Sequence, residues 1–388
     1  MDPISNPYTP GAGIKPVTLA GRDGELKKAE ILLKRVKAGL QQRPIMFYGL
    51  RGVGKTVLLN EIQELAIQER YYYEHLEISE NDDFKVVIAL VLRKLLLRLS
   101  TLEKAKDLGK KALGILKAFT FTIPDGPEIS IDTDAIKGAA DSGNFQLDLT
   151  ALLENLGELA KETGDPVCLF FDEVQYLKED EFGAIIAASH RISQRNLPVV
   201  TICAGLPQIL AVSGDAKSYA ERLFEFIPIE NLDSKNAEKA IAGPAESKGV
   251  TFNSDALQEV ISITEGYPYF IQELGKQAWD VAEQSPIILS DITGAKGMFE
   301  DSLDQSFFKV RLDRATEAEK KFMKTMAEIG KGPYKVADIA SKMGRPAKSL
   351  GPTRAKLVNK GFIYPPAYGL IDFSVPQFDV FLRRHYNL

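Results

Sequence analysis

The octapeptide GLRGVGKT, residues 49 to 56, constrains this chain more than any other stretch, because it fixes both a turn and what flanks it. It fits the pattern G-x-x-x-x-G-K-[ST]. An apolar run, IMFYG, leads into it, and TVLLNEIQELA, apolar at helical spacing, leads out. A strand, a glycine-rich turn and a helix N-terminus in that order aim backbone N–H groups at a chain of phosphates. Gly49, Leu50, Arg51, Gly52, Val53, Gly54, Lys55, Thr56 and Val57 are therefore expected around bound phosphate. Lys55 should reach the β and γ phosphates and Thr56 should ligate Mg²⁺.

Further β-rich runs bounded by turn residues occur at YYYEHLEIS, VCLFFDE, PVVTICAG and LFEFIPI, with helical patterns between them. Such alternation predicts a parallel five-stranded sheet covered by helices, an α/β core. In VCLFFDE an apolar strand ends in two carboxylates, at the strand exits where open α/β sheets gather their ligands. Asp172 is expected to hold Mg²⁺, and Glu173 to orient or deprotonate an attacking water.

Composition narrows the alternatives. A net charge of −5 leaves no dominant basic tail, so any nucleic-acid contact must be local. Cys168 and Cys203 lie in apolar runs and predict buried thiols, not a disulfide framework. The three histidines lack ligand-like spacing, and the most apolar run, FKVVIALVLRKLLLRLS, is broken by Arg93 and Lys94. A cytoplasmic protein without a membrane partner is the expectation.

Three units are expected: residues 1–231 as the core, with an insertion at about 120–148 carrying a hairpin-like PDG turn and a mobile loop; residues 232–308, helical throughout; and residues 309–388. In the last unit KVADIASKMG and SLGPTRAKLVNKGFIY read as a helix-turn-helix, with Ser349 capping the second helix ahead of Pro352, followed by two short β-like runs and a helix. Residues 331 to 361 hold eight Lys or Arg against one acidic residue, Asp338. That asymmetry nominates Arg345, Lys348, Arg354 and Lys356 as contacts to duplex DNA. The wing, IYPPAYGLIDFS, is apolar, which leaves a protein partner open.

Taken together, TLAGRDGEL, GLRGVGKT, LFFDE, a helical unit and a C-terminal winged-helix pattern resemble the AAA+ ATPases, in the branch of the origin-recognition initiators and the STAND signalling ATPases. The resemblance implies a P-loop core, a small all-α lid and a winged helix, with ATP or ADP and Mg²⁺ as cofactors and ATP-dependent homo-oligomers as an assembly. It implies nucleotide contact near Gly21, Arg22 and Tyr8, although Arg22 could equally start a helix. Thr201 or Gln208 would be the polar group of the sensor-1 strand. Arg222 would be an arginine finger or an ordinary surface ion-pair partner. Where many AAA+ lids carry a sensor arginine, this chain has GYPYF, residues 266 to 270, similar to the GxP motif of STAND ATPases. Pro268 would then lie against the nucleotide, or simply begin a helix. Two functions follow from the resemblance: a DNA-acting ATPase, or a signalling switch whose winged helix engages protein.

Overall fold

Each of the five apolar runs forms a strand: β1 (Ile45–Tyr48), β2 (Tyr72–Glu77), β3 (Val167–Asp172), β4 (Val199–Gly205) and β5 (Glu225–Pro228). The computed structural model describes residues 1–101, 105–123, 130–210 and 220–388. All pairings are parallel, in the order β2-β3-β4-β1-β5. Because helices cover both faces, the central strands β1, β3 and β4 read as nearly unbroken apolar runs, while the edge strands β2 and β5 carry Glu74, His75, Glu77 and Glu225.

Strand alternation sorts the core. Ile45, Phe47, Cys168, Phe170 and Ile202 face α1 (Asp23–Lys37) and α2 (Lys55–Gln68). Met46, Leu169, Phe171 and Cys203 face α3 (Phe84–Leu99), α4 (Lys106–Thr120), α5 (Phe145–Thr163) and α6 (Glu179–Gln194). The two free cysteines thus lie on opposite faces of the sheet, and burial pushes both thiols up.

The 120–148 stretch is more anchored than its polar composition suggests. The PDG turn lies outside the described residues. Beyond it, Lys117 Nζ donates to the carbonyls of Ile131 and Thr133 at 3.1 and 2.7 Å, Ile131 and Ala140 are buried, and α5 already begins at Phe145.

After a short helix α7 (Ala220–Leu223) and β5, four helices follow: α8 (Ser234–Glu246), α9 (Ser254–Thr264), α10 (Pro268–Val281) and α11 (Leu289–Ser302). A π-helical turn, Leu303–Phe308, continues α11 into α12 (Lys309–Leu312). The remaining elements are α13 (Glu317–Ile329), β6 (Tyr334–Lys335), α14 (Val336–Lys342), a 3-10 turn Ala347–Leu350, α15 (Gly351–Asn359), β7 (Ile363–Tyr364), β8 (Leu370–Phe373) and α16 (Phe378–Tyr386). The short strands form an antiparallel sheet in the order β6-β8-β7.

Ser349 does not cap α15, because the chain enters that helix directly from the 3-10 turn. Its hydroxyl donates to Pro346 O at 2.8 Å, and Pro352 sits in the first turn of α15, where no backbone donor is needed. Aromatic packing ties the parts together: Phe270 of α10 meets Phe308 at 6.3 Å between ring centroids, and Phe308 stacks on Phe381 of α16 at 5.2 Å. Among the described residues no helix is long and apolar enough to cross a membrane.

Candidate active site

β1 delivers the glycine-rich turn at the C-terminal edge of the sheet, between β4 and β5. Gly49 is required sterically, since a Cβ there would come within 2.1 Å of Ile229 O on the neighbouring strand's exit. Gly52 has φ +83°, and a Cβ on it would meet the Tyr267 hydroxyl at 2.8 Å. The loop therefore fits tightly between β5 and the start of α10. Lys55 is buried, and its Nζ donates to the carbonyls of Gly49 and Leu50 at 2.9 and 2.8 Å. Burial pulls its ammonium down to about 8, although Glu173 and Asp172 act to raise it. Val53, within the loop, and Val57, in the first turn of α2, are buried at the cavity wall.

The two motifs converge. Thr56 Oγ1 donates to Asp172 Oδ2 at 2.6 Å, across 116 residues of sequence. Burial raises the Asp172 carboxyl, and the hydrogen bond from Thr56 works against it. Glu173 adopts φ +56°, an uncommon backbone for a non-glycine residue, and lines the cavity beside the loop. Arg51 lies 3.6 Å from that carboxylate and donates to the Tyr176 hydroxyl at 2.7 Å. Gln175 was not foreseen: its amide donates to Glu173 while its Oε1 accepts from Leu206 N at 2.9 Å. The available signal was its place two residues after Glu173.

Between this edge and the helical unit lies a cavity of about 410 Å³, a size suited to a nucleotide. The core lines it with Arg22, Lys55, Thr56 and Glu173, and α10 with Pro268 and Tyr269. Arg22 precedes α1, but it does more than start that helix: its guanidinium donates to Val53 O at 3.1 Å and Glu230 O at 2.7 Å, bracing the loop against the exit of β5. Pro268 is the first residue of α10, as its missing N–H permits, and it also faces the cavity.

Other expectations fall elsewhere. Tyr8 is buried against Gly275 and Ile241 in the helical unit and is replaced at the cavity by Thr9–Ala20, the segment that follows it. Thr201 sits near the start of β4, at the opposite end from the loop, and accepts from Ser189 at 3.2 Å. Gln208 Nε2 donates to Val358 O at 3.3 Å, so it serves the C-terminal unit. Arg222 is exposed on α7 and does not line the cavity. Arg345 and Lys348 are exposed ahead of α15, and Arg354 and Lys356 are exposed on it, Lys356 in its last turn; among the described residues none of them pairs with a carboxylate. Arg311 and Arg314, which belong to no motif in the sequence, also line the cavity.

Comparison with known proteins bears on this geometry. Residues 18–202 match the family described as the AAA ATPase domain. The chain carries an AAA+ P-loop ATPase core. Residues 305–382 match a domain of unknown function, and no curated protein matches the chain. Among solved structures, a Walker-type ATPase of Pyrococcus abyssi is 14% identical, with a TM-score of 0.59, 94% of this chain and 96% of that one being covered. The Orc1 protein of Aeropyrum pernix in complex with DNA is 13% identical with a TM-score of 0.48, covering 95% and 94%. Cdc6p of Pyrobaculum aerophilum is 14% identical with a TM-score of 0.47, covering 99% of both chains. At such identities the likeness concerns fold alone.

The position of Pro268 in this ATPase makes a direct prediction. Pro268→Ala removes ring surface from the cavity wall but preserves a helix-compatible residue at the first position of α10. Nucleotide affinity should fall about 3- to 10-fold, while the folding free energy moves by less than about 1 kcal/mol. Nucleotide titration beside urea denaturation checks both numbers. Unchanged affinity would return GYPYF to the status of a turn.

Proposed function

We propose that the chain is a cytoplasmic Mg²⁺-dependent ATP hydrolase that uses the nucleotide to close its core against its helical unit and so switch a C-terminal winged helix. The observation that carries this reading is the Thr56–Asp172 contact at 2.6 Å beside the buried Lys55 and the half-buried Glu173. A hydroxyl and a carboxylate in contact are hard oxygen donors suited to Mg²⁺, which keeps most of its positions for water and phosphate. When bound, the ion would neutralise charge on the β and γ phosphates. Lys55 would leave the loop carbonyls for the phosphates, and Glu173 would take up or orient a proton of the attacking water. In a homo-oligomer, Arg222 on its exposed helix would be free to reach a neighbouring subunit's site.

The partner we propose for the C-terminal unit is duplex DNA. Its helix order, α14, turn, α15, then the β7–β8 pair, supports a winged helix. One end of α15 is engaged by the ATPase core, through Gln208 on Val358, which leaves the end bearing Arg345, Lys348 and Arg354 outward. Short duplex DNA should bind with a steep salt dependence. Replacing those three cations with alanine should make the slope of log K against log salt shallower, by about 0.9 for each phosphate that is no longer neutralised. Absence of binding at low salt, with ATP and with ADP, would overturn the DNA reading. A signalling switch with a protein partner is then favoured by Tyr368, fully exposed at the apolar β7–β8 turn.

A further inference from the structure

The joint between the helical and C-terminal units presents a cation to the nucleotide cavity. Leu303–Phe308 is π-helical, and such turns often occur at functional sites because they rotate the residues that follow. Here Arg311 lands on the same face as Phe307, its guanidinium carbon 4.5 Å from that ring's centroid. Phe307 in turn stacks on Tyr269 at 4.7 Å and 19°, next in sequence to Pro268. The aromatic pair therefore carries Arg311 on the cavity wall, facing the phosphate loop. Arg311 also lines a second cavity of about 400 Å³, shared with Arg51, Tyr176 and Lys360, between the loop and the C-terminal unit. It thus stands at the Glu173 end of the site, not at the end lined by Thr9–Ala20.

Among the described residues the Arg311 guanidinium makes no hydrogen bond and no ion pair, although the residue is half-buried. Glu173, whose charge acts on it, already faces Arg51 at 3.6 Å, and Glu80, on the wall of the second cavity, makes no ion pair with Arg311. Burial, reinforced by Arg51, pulls Arg311 down to about 10. A desolvated guanidinium without an anion is unfavourable, and its planar donor fork matches phosphate oxygens.

We propose that Arg311 binds the terminal phosphate of the triphosphate, so that the segment leading into the C-terminal unit distinguishes ATP from ADP. The assignment rests on the nucleotide reading of the cavity. It gives the switch a physical link, because α12 would be drawn toward the loop only when that phosphate is present.

The test uses the full chain, fluorescent ADP and a fluorescent non-hydrolysable β,γ-imido analogue of ATP, both with Mg²⁺. In Arg311→Met, affinity for the imido analogue should fall about tenfold or more while ADP affinity stays within about twofold; Arg311→Lys should lie between. Equal losses for both nucleotides would assign Arg311 to structure alone, and no loss for either would remove it from the site. If Arg311→Met fails to fold, the same triphosphate-to-diphosphate ratio is read from Arg311→Lys, where an unchanged ratio overturns the proposal. Wild-type chain that binds neither nucleotide overturns the nucleotide reading itself, whereas normal wild-type binding with an unchanged ratio in the variants fails Arg311 only.

Discussion

Replacing Lys55 with alanine should lower ATP affinity about 100-fold and abolish measurable turnover, with folding affected much less. The ammonium is buried under the loop, among Gly49, Leu50 and the carboxylates of Asp172 and Glu173. In that low-dielectric setting a cation facing phosphate is worth several times its value in water, and about 2.7 kcal/mol already makes a factor of 100. Its contribution to folding is smaller because two effects oppose. Truncation leaves two loop carbonyls without their donor, at a cost of about 1–3 kcal/mol, but also removes an ammonium that burial disfavours. Isothermal titration with ATP and a urea melt separate the two. A stability loss with intact ATP affinity would make Lys55 a structural clamp and remove the phosphate assignment.

The core was legible because its pattern is local. Each central strand is a short apolar run ending in turn residues, the edge strand β2 is marked by the run of three tyrosines leading into it, and the phosphate loop is a contiguous octapeptide, so none needs knowledge of a distant partner. Asp172 and Glu173 were readable for the same reason: they follow directly from the apolar run of β3. Legibility stopped where a side chain's role depends on what packs over it. Thr201 looked like a sensor because it is polar and on β4, but its position near the start of that strand sends it to Ser189, away from the loop. Tyr8 looked like a nucleotide contact because of the resemblance of the segment before the loop, yet it is an anchor for the segment that does line the cavity. Arg311 was invisible for a third reason. Its approach depends on a π-helical turn, which shifts register without any sequence signature, and on Tyr269 and Phe307 stacking across 38 residues of chain.

Glu173→Gln should keep ATP affinity within about threefold and reduce turnover by about 10²- to 10⁴-fold, the usual range for loss of a general base. Glutamine is nearly isosteric, can hold the backbone of this position as glutamate does, and retains an oxygen for the Gln175 amide. What it loses is the negative charge that, in the proposed mechanism, takes a proton from water, and that faces Arg51 at 3.6 Å. Freeing Arg51 adds positive potential beside the phosphates, so nucleotide binding should hold or tighten while chemistry stops. That separation is diagnostic: Lys55→Ala acts on ground-state binding and turnover together, whereas Glu173→Gln acts on turnover alone. Single-turnover hydrolysis with saturating ATP reads the chemical step directly. Unchanged turnover would remove Glu173 from catalysis and leave its left-handed backbone as a feature of the Gln175 contact, with the water positioned from elsewhere in the cavity.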